Sequence, residues 1–207
     1  DYSFCGRMLG PNEIKKLLEY LVDYYDLNDY IDFVKVTDIN YNSEDKILIH
    51  YFRDKKQFVI YSNTIKTITR DMFNNSIFNR FDAIYYINIY VMHIVLHEID
   101  HLFQTKNSIN KSNLTEEIIF LVNNISKYIY SRLLSQDLSI EELKNKINVI
   151  KNIFTAMWEY APHERLAEYN SYKKIISITS DIKEKIPDVY NYINYYFNDL
   201  MLNSYVE

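Results

Sequence analysis

Glycine is almost missing from this chain of 207 residues: there are 2, Gly6 and Gly10, both within the first ten positions. From residue 11 onward every loop built on a glycine backbone is therefore excluded. Among these are the phosphate-cradling GxxxxGK[ST] loop, the dinucleotide-binding GxGxxG turn and the GxSxG nucleophile elbow. Nucleotide-dependent and serine-hydrolase chemistry fall away with them. Proline is scarce as well, at 3 residues, so few elements are interrupted. A lone cysteine rules out an internal disulfide framework and suits a reducing compartment, so a cytoplasmic protein is expected. No signal-peptide pattern stands in the chain, and one removed upstream would leave no trace in it. Positive charge is not in excess: the formal net charge is -5, and the scattered Lys and Arg argue against a nucleic-acid partner. Long hydrophobic runs are lacking too. The most apolar stretch, residues 83–96, is broken by Asn88 and His93 and followed by His97 and Glu98, too short and too polar to span a membrane.

What is present is a 48% apolar content with 21 Tyr and 11 Phe, enough to bury a substantial core. With no linker, repeat or low-complexity segment, one domain over residues 1–207 is expected. Ile14, Leu17, Leu18, Leu21 and Val22 form an i, i+3, i+4, i+7 stripe, which predicts a first helix to about residue 27 capped by Asn12. The period then changes. Residues 31–36, 46–52 and 57–62 are rich in Ile, Val, Tyr and Phe, and the interval 53–56 suits a hairpin, so a small antiparallel sheet is expected within residues 28–65. Residues 82–104 read as one helix apolar on nearly all sides, which places it at the centre of the fold. Further helices are expected at 115–134, from the Ser139-Ile140-Glu141-Glu142 capping box to about 158, from Pro162 to about 178, and from Pro187 to about 202. The fold class is thus α+β and mostly helical, with the sheet first and a helical part over about 80–207.

The informative string is His97-Glu98-Ile99-Asp100-His101. On a helix, residues four apart share a face, so two imidazoles can reach one metal ion while Glu98 sits beside them, placed for a metal-bound water. In so apolar a helix, unpartnered His and Glu would be expensive to bury, which favours a site over a chance polar patch. His93 lies one turn earlier on the same face, as a packed residue or a shield for the site. Asp100 either orients a neighbouring group or points to solvent. Tyr160 is a candidate for stabilising an oxyanion. Tyr192, Ile193, Tyr195, Tyr196 and Phe197 form a stripe that reads as core or helix-packing face, with a partner surface as the lesser alternative.

The HExxH string on a central helix behind a small sheet resembles the zincins, metallopeptidases in which the two His bind zinc and the Glu is the general base. The metzincin extension HExxHxxGxxH fails, because Gln104 stands at its glycine and Asn107 at its third His. The segment from Ala161 to Glu168 is instead similar to the gluzincin ExxxD arrangement, in which the Glu binds zinc and the later acid supports a ligand His. Glu164 is then the third ligand and Glu168 stands where the Asp is usual. Glu159 and His163 remain competitors for the third ligand. Pro-x-Glu-x-x-Ala downstream of HExxH also resembles small phage- and mobile-element-type zincin-like proteins. The His97 to Leu102 string is similar to the third motif of peptide deformylase as well, but that family's EGCLS and GxGLAAxQ segments have no counterpart here.

The resemblance implies a gluzincin-like zinc metallopeptidase: Zn2+ held by His97, His101 and Glu164, Glu98 as general base, and a peptide or protein substrate. An extended peptide is expected to add to the edge of the sheet at the 57–62 strand. The rival reading is a zincin-like module that binds a partner protein without general protease activity, its metal structural or absent.

Overall fold

The computed structural model describes residues 6–39, 47–107, 124–125, 127–129, 131–133, 135–136, 138–159 and 162–204. The chain is α+β and mostly helical. It divides into two compact units, residues 1–106 with 167–207, and residues 107–166.

The first unit opens with α1, Pro11–Tyr24. Its N-cap is Gly10 and not Asn12: Pro11 takes the first helical position, where its missing N–H is no loss, and Gly10 N–H donates to Glu13 Oε2 at 3.1 Å. Three strands follow, β1 Phe33–Thr37, β2 Ile49–Phe52 and β3 Gln57–Tyr61. They form one sheet in the order β1-β3-β2. β2 and β3 are an antiparallel hairpin, as the 53–56 interval predicts, but β1 runs parallel to β3, so the sheet is mixed and not antiparallel throughout. The expectation that the 57–62 strand forms the edge is overturned as well. β3 is the central strand, paired on both sides, and its run Phe58, Val59, Ile60 and Tyr61 is buried without a break. Ser62 leaves the strand and opens α2, Ser62–Asn74, a helix the hydrophobic spacing did not disclose. The Ser62 hydroxyl donates to the Asp38 carboxylate at this junction.

Helix α3, Arg80–Lys106, is the element on which the unit is built. One face packs Val91, Val95, Ile99 and Leu102 against α1 (Ile14, Leu18, Val22) and the sheet (Phe58, Ile60). Ile89 and Leu96 lie in a separate buried cluster with Ile175, Ile186, Val189 and Ile193. Burial on opposite faces is the physical reason the helix is apolar nearly all round, each enclosed aliphatic side chain contributing about 1.5–3 kcal/mol. Among the described residues no helix is long and apolar enough to cross a membrane.

The second unit contains α4, Ile140–Glu159. Its expected capping box is present: Ser139 N–H donates to Glu142 Oε2 at 3.0 Å and Glu142 N–H to Ser139 Oγ at 3.3 Å. The Ser139 hydroxyl, which donates to Glu142 Oε2 at 2.7 Å, and then the Ser139 N–H hold the Glu142 carboxyl below its ordinary range. The helix expected at 115–134 lies largely outside the described residues. α5, Pro162–Ser180, begins on the last residues of this unit and continues in the first, which also contains α6, Pro187–Ser204, the last helix among the described residues.

The glycine shortage leaves a mark on the backbone. Lys56 closes the β2–β3 connection at φ 44, a left-handed conformation that glycine normally fills. Because that region costs an L-residue about 1–2 kcal/mol, Lys56→Gly is expected to raise stability by about 1 kcal/mol in urea unfolding, even after losing the Lys56 Nζ bond to the Asp29 carbonyl. The same change at Lys55, one residue earlier in the turn, is expected to lower stability.

Candidate metal centre

Helix α3 presents His97 and His101 one turn apart, with ring centroids at 4.8 Å and planes at 86°. The second contributor is α5. Its residues Ala167, Ser171, Ile175 and Thr179, at i+4 spacing, are all buried. With only small side chains at 167 and 171, α5 comes close enough to α3 for direct hydrogen bonds between them. Glu168 Oε2 lies 3.1 Å from His97 Nδ1, and a carboxylate oxygen accepts, so the Nδ1–H donates. That bond selects the tautomer in which Nε2 carries the lone pair, the state required of a metal ligand.

One turn before Glu168 on the same helix stands Glu164. One ligand atom each from His97, His101 and Glu164 lie within 4.8 Å of one another, and all three residues are partly buried. This group could hold a metal ion. Two imidazoles and a carboxylate are a donor set suited to a divalent ion such as zinc, and the carboxylate on His97 Nδ1 is the support such a ligand characteristically receives.

The competitors fall out differently. His163 is not in the group; its Nε2 lies 3.3 Å from Glu164 Oε1, beside the carboxylate. Glu159 is the last residue of α4, and its side chain lies outside the described residues, as does Tyr160. No family model, curated protein or solved structure matches the chain.

Glu98 is 9% exposed, and its Oε2 accepts the backbone N–H of Tyr51 at 2.8 Å. Tyr51 is in β2, an edge strand, so this N–H is one the ladder leaves unused. Asp100 does not point to solvent. It is 4% exposed and accepts from Gln104 Nε2 at 3.0 Å and from Asn170 Nδ2 at 3.1 and 3.2 Å, one to each oxygen. It therefore ties α3 to α5 and does not orient a histidine. Asn170 was not singled out by any motif, and its role is visible only once the two helices are side by side.

His93 is buried, its ring 4.1 Å from that of Tyr172. Burial pushes its imidazolium down to about 4, against a smaller opposing pull from Glu168. The ring is thus neutral at pH 7, and its 3.5 Å approach to Glu168 is not an ion pair. Glu168 serves His97.

Replacing Glu168 by Gln keeps the shape of that contact and removes its charge. The Glu168→Gln variant is expected to bind zinc about 10–100-fold more weakly in a chelator-competition titration, and Glu164→Ala more weakly still. Unchanged affinity in Glu164→Ala would remove that residue from the site.

Proposed function

We propose that this chain is a zinc-dependent metallopeptidase with a zincin-like, gluzincin-type arrangement, acting on a peptide or protein substrate. The observation that carries the reading is the His97, His101 and Glu164 group with Glu168 on His97 Nδ1. Three protein donors leave a fourth position open, which distinguishes a catalytic zinc site from a closed structural one. Zinc held there would supply Lewis-acid polarisation of the scissile carbonyl and a water acidified towards about pH 7.

The remaining work falls to the chain's own groups. Glu98, adjacent in sequence to His97, is the general base. Its Oε2 is anchored on the Tyr51 N–H, so Oε1 takes the proton from the attacking water and passes it to the leaving amine. Glu168 keeps His97 in the ligating tautomer and favours positive charge on the imidazole when it is drawn to the ion. His163, 3.3 Å from Glu164, restrains that carboxylate.

The substrate adds to β2, which replaces the 57–62 strand in this role. Tyr61 N–H bonds to the Leu48 carbonyl, so by alternation Ile49 and Tyr51 direct their backbone groups away from β3. With the Tyr51 N–H already engaged, the Ile49 N–H and C=O and the Tyr51 C=O are the groups that pair with an extended peptide. This places the peptide beside Glu98. A cytoplasmic location fits the single cysteine.

Glu98→Gln retains an oxygen to accept from Tyr51 and loses the base. Its zinc content is expected to match the parent, while turnover of an unstructured protein substrate, followed by mass spectrometry of the fragments, falls about 10²–10⁴-fold. Cleavage at the parental rate by this variant would sink the mechanism. Stoichiometric zinc with no cleavage by the parent chain would favour the partner-binding module.

A further inference from the structure

Beyond Glu168, the next turn of α3 and the facing turns of α5 and α6 enclose a cavity of about 230 Å³ within the first unit. Its walls are chiefly tyrosine: Tyr86 and Tyr90 from α3, Tyr172 from α5, Tyr192 and Tyr196 from α6. Three isoleucines, Ile89, Ile175 and Ile193, complete the lining and are themselves buried. Tyr192 and Tyr196 are 40% and 49% exposed, so the α6 side is the mouth. The stripe read from the sequence is therefore divided. Tyr192, Ile193 and Tyr196 line the cavity, while Tyr195, at 73% exposure, faces solvent.

Three properties of this space define what it takes. The first is size: an apolar cavity of about 150 Å³ accommodates benzene, so this one admits a single larger ring. The second is the wall. Aromatic faces and edges at T-shaped angles, such as Tyr86 and Tyr192 at 5.5 Å and 89°, offer the geometry in which another ring packs well. Burial raises the phenols of Tyr90 and Tyr172 and, with Tyr192 beside it, pushes Tyr86 up to about 12, so the wall is uncharged at pH 7. The third is one polar atom. His93 lines the cavity, and its Nε2, 3.5 Å from Glu168 Oε2, makes no hydrogen bond among the described residues. A buried nitrogen of this kind rewards a ligand that brings a hydrogen-bonding group to it.

The geometry points to a specificity pocket for an aromatic side chain with a polar edge, that of tryptophan or tyrosine, on the substrate of the neighbouring metal centre. The ring fills the tyrosine-lined space and its polar edge faces the His93 imidazole. A lysine is disfavoured, because its ammonium would be taken from water into a space walled chiefly by tyrosine and isoleucine. Only the word substrate rests on the peptidase reading; the pocket itself rests on α3, α5 and α6.

Probe binding separates the two. The full-length chain carrying E98Q is labelled at isoleucine methyls and titrated with the N-acetyl amides of Trp, Tyr, Phe and Lys, with NMR as the readout. Saturable shifts confined to Ile89, Ile175 and Ile193 are expected with the Trp and Tyr amides, about fivefold weaker binding with Phe, and none with Lys. I193F, which fills the cavity, is expected to abolish binding. Should it fail to fold, Y196A at the half-exposed mouth is expected to weaken binding about tenfold. Equal binding of Lys or Phe, or no saturable shift with any aromatic amide, overturns the inference. Probe binding alongside a parent chain that cleaves nothing removes the peptidase and leaves the pocket. Cleavage without aromatic preference or probe binding removes the pocket and leaves the peptidase.

Discussion

A helix enclosed on opposite faces can carry ionisable and amide side chains only where each is met by a partner, because an unmet buried polar group costs about 1–3 kcal/mol. That constraint organises α3. Asn88 accepts from the Leu9 N–H and donates to the Arg7 carbonyl, which fastens the segment before α1. Glu98 takes the Tyr51 N–H and fastens the sheet. Asp100, with Gln104, takes Asn170, and His97 takes Glu168, and these two pairs fasten α5. Asn88, Glu98, His97 and Asp100 are therefore each a tie to another element, the last two to the same helix. His97 is thus both a member of the group that could hold a metal ion and a tie between α3 and α5.

The scarcity of glycine has consequences beyond the motifs it excludes. Asp26 and Lys56 occupy left-handed backbone positions in its place, at the end of α1 and in the hairpin. The group that could hold a metal ion is built here from helices: α3 contributes His97 and His101, and α5 contributes Glu164 and Glu168 at i, i+4 spacing, so one helical register sets both a member of the group and the partner of another member.

This explains what could be read from the sequence. HExxH is a local pattern on one helix, and helical spacing carries over directly into three dimensions, so the pairing of His97 with His101 was legible. Glu164 and Glu168 came from the resemblance to the gluzincin arrangement, with Glu159 and His163 still open, because spacing along one helix says nothing of which other helix faces it. The strands, local patterns too, were legible as strands. Their partners were not, because β propensity and alternation say nothing of direction, and the parallel β1–β3 pairing joins residues more than twenty apart. One signal was passed over: Phe58 to Tyr61 is apolar without alternation, the mark of a strand buried on both faces, yet the sequence reading put this strand at the edge. Asn170 and Tyr172 carry no motif at all. Their roles exist only because Ala167 and Ser171 let two helices approach.

The position of Glu98 joins these strands of argument. As a buried acid it needs a hydrogen-bond donor, and the one it has is an outward N–H of an edge strand, a group that would otherwise be open to pairing with another chain. The same bond therefore satisfies the acid, blunts one point of the exposed edge and fixes the distance between the edge and the HExxH helix. Removing the side chain altogether would loosen all three, whereas an isosteric amide keeps the acceptor and takes away only the charge. The edge left beyond Tyr51 is short. A peptide pairing there finds its register set by Ile49, since a slip of one residue would present it with groups turned inward to β3.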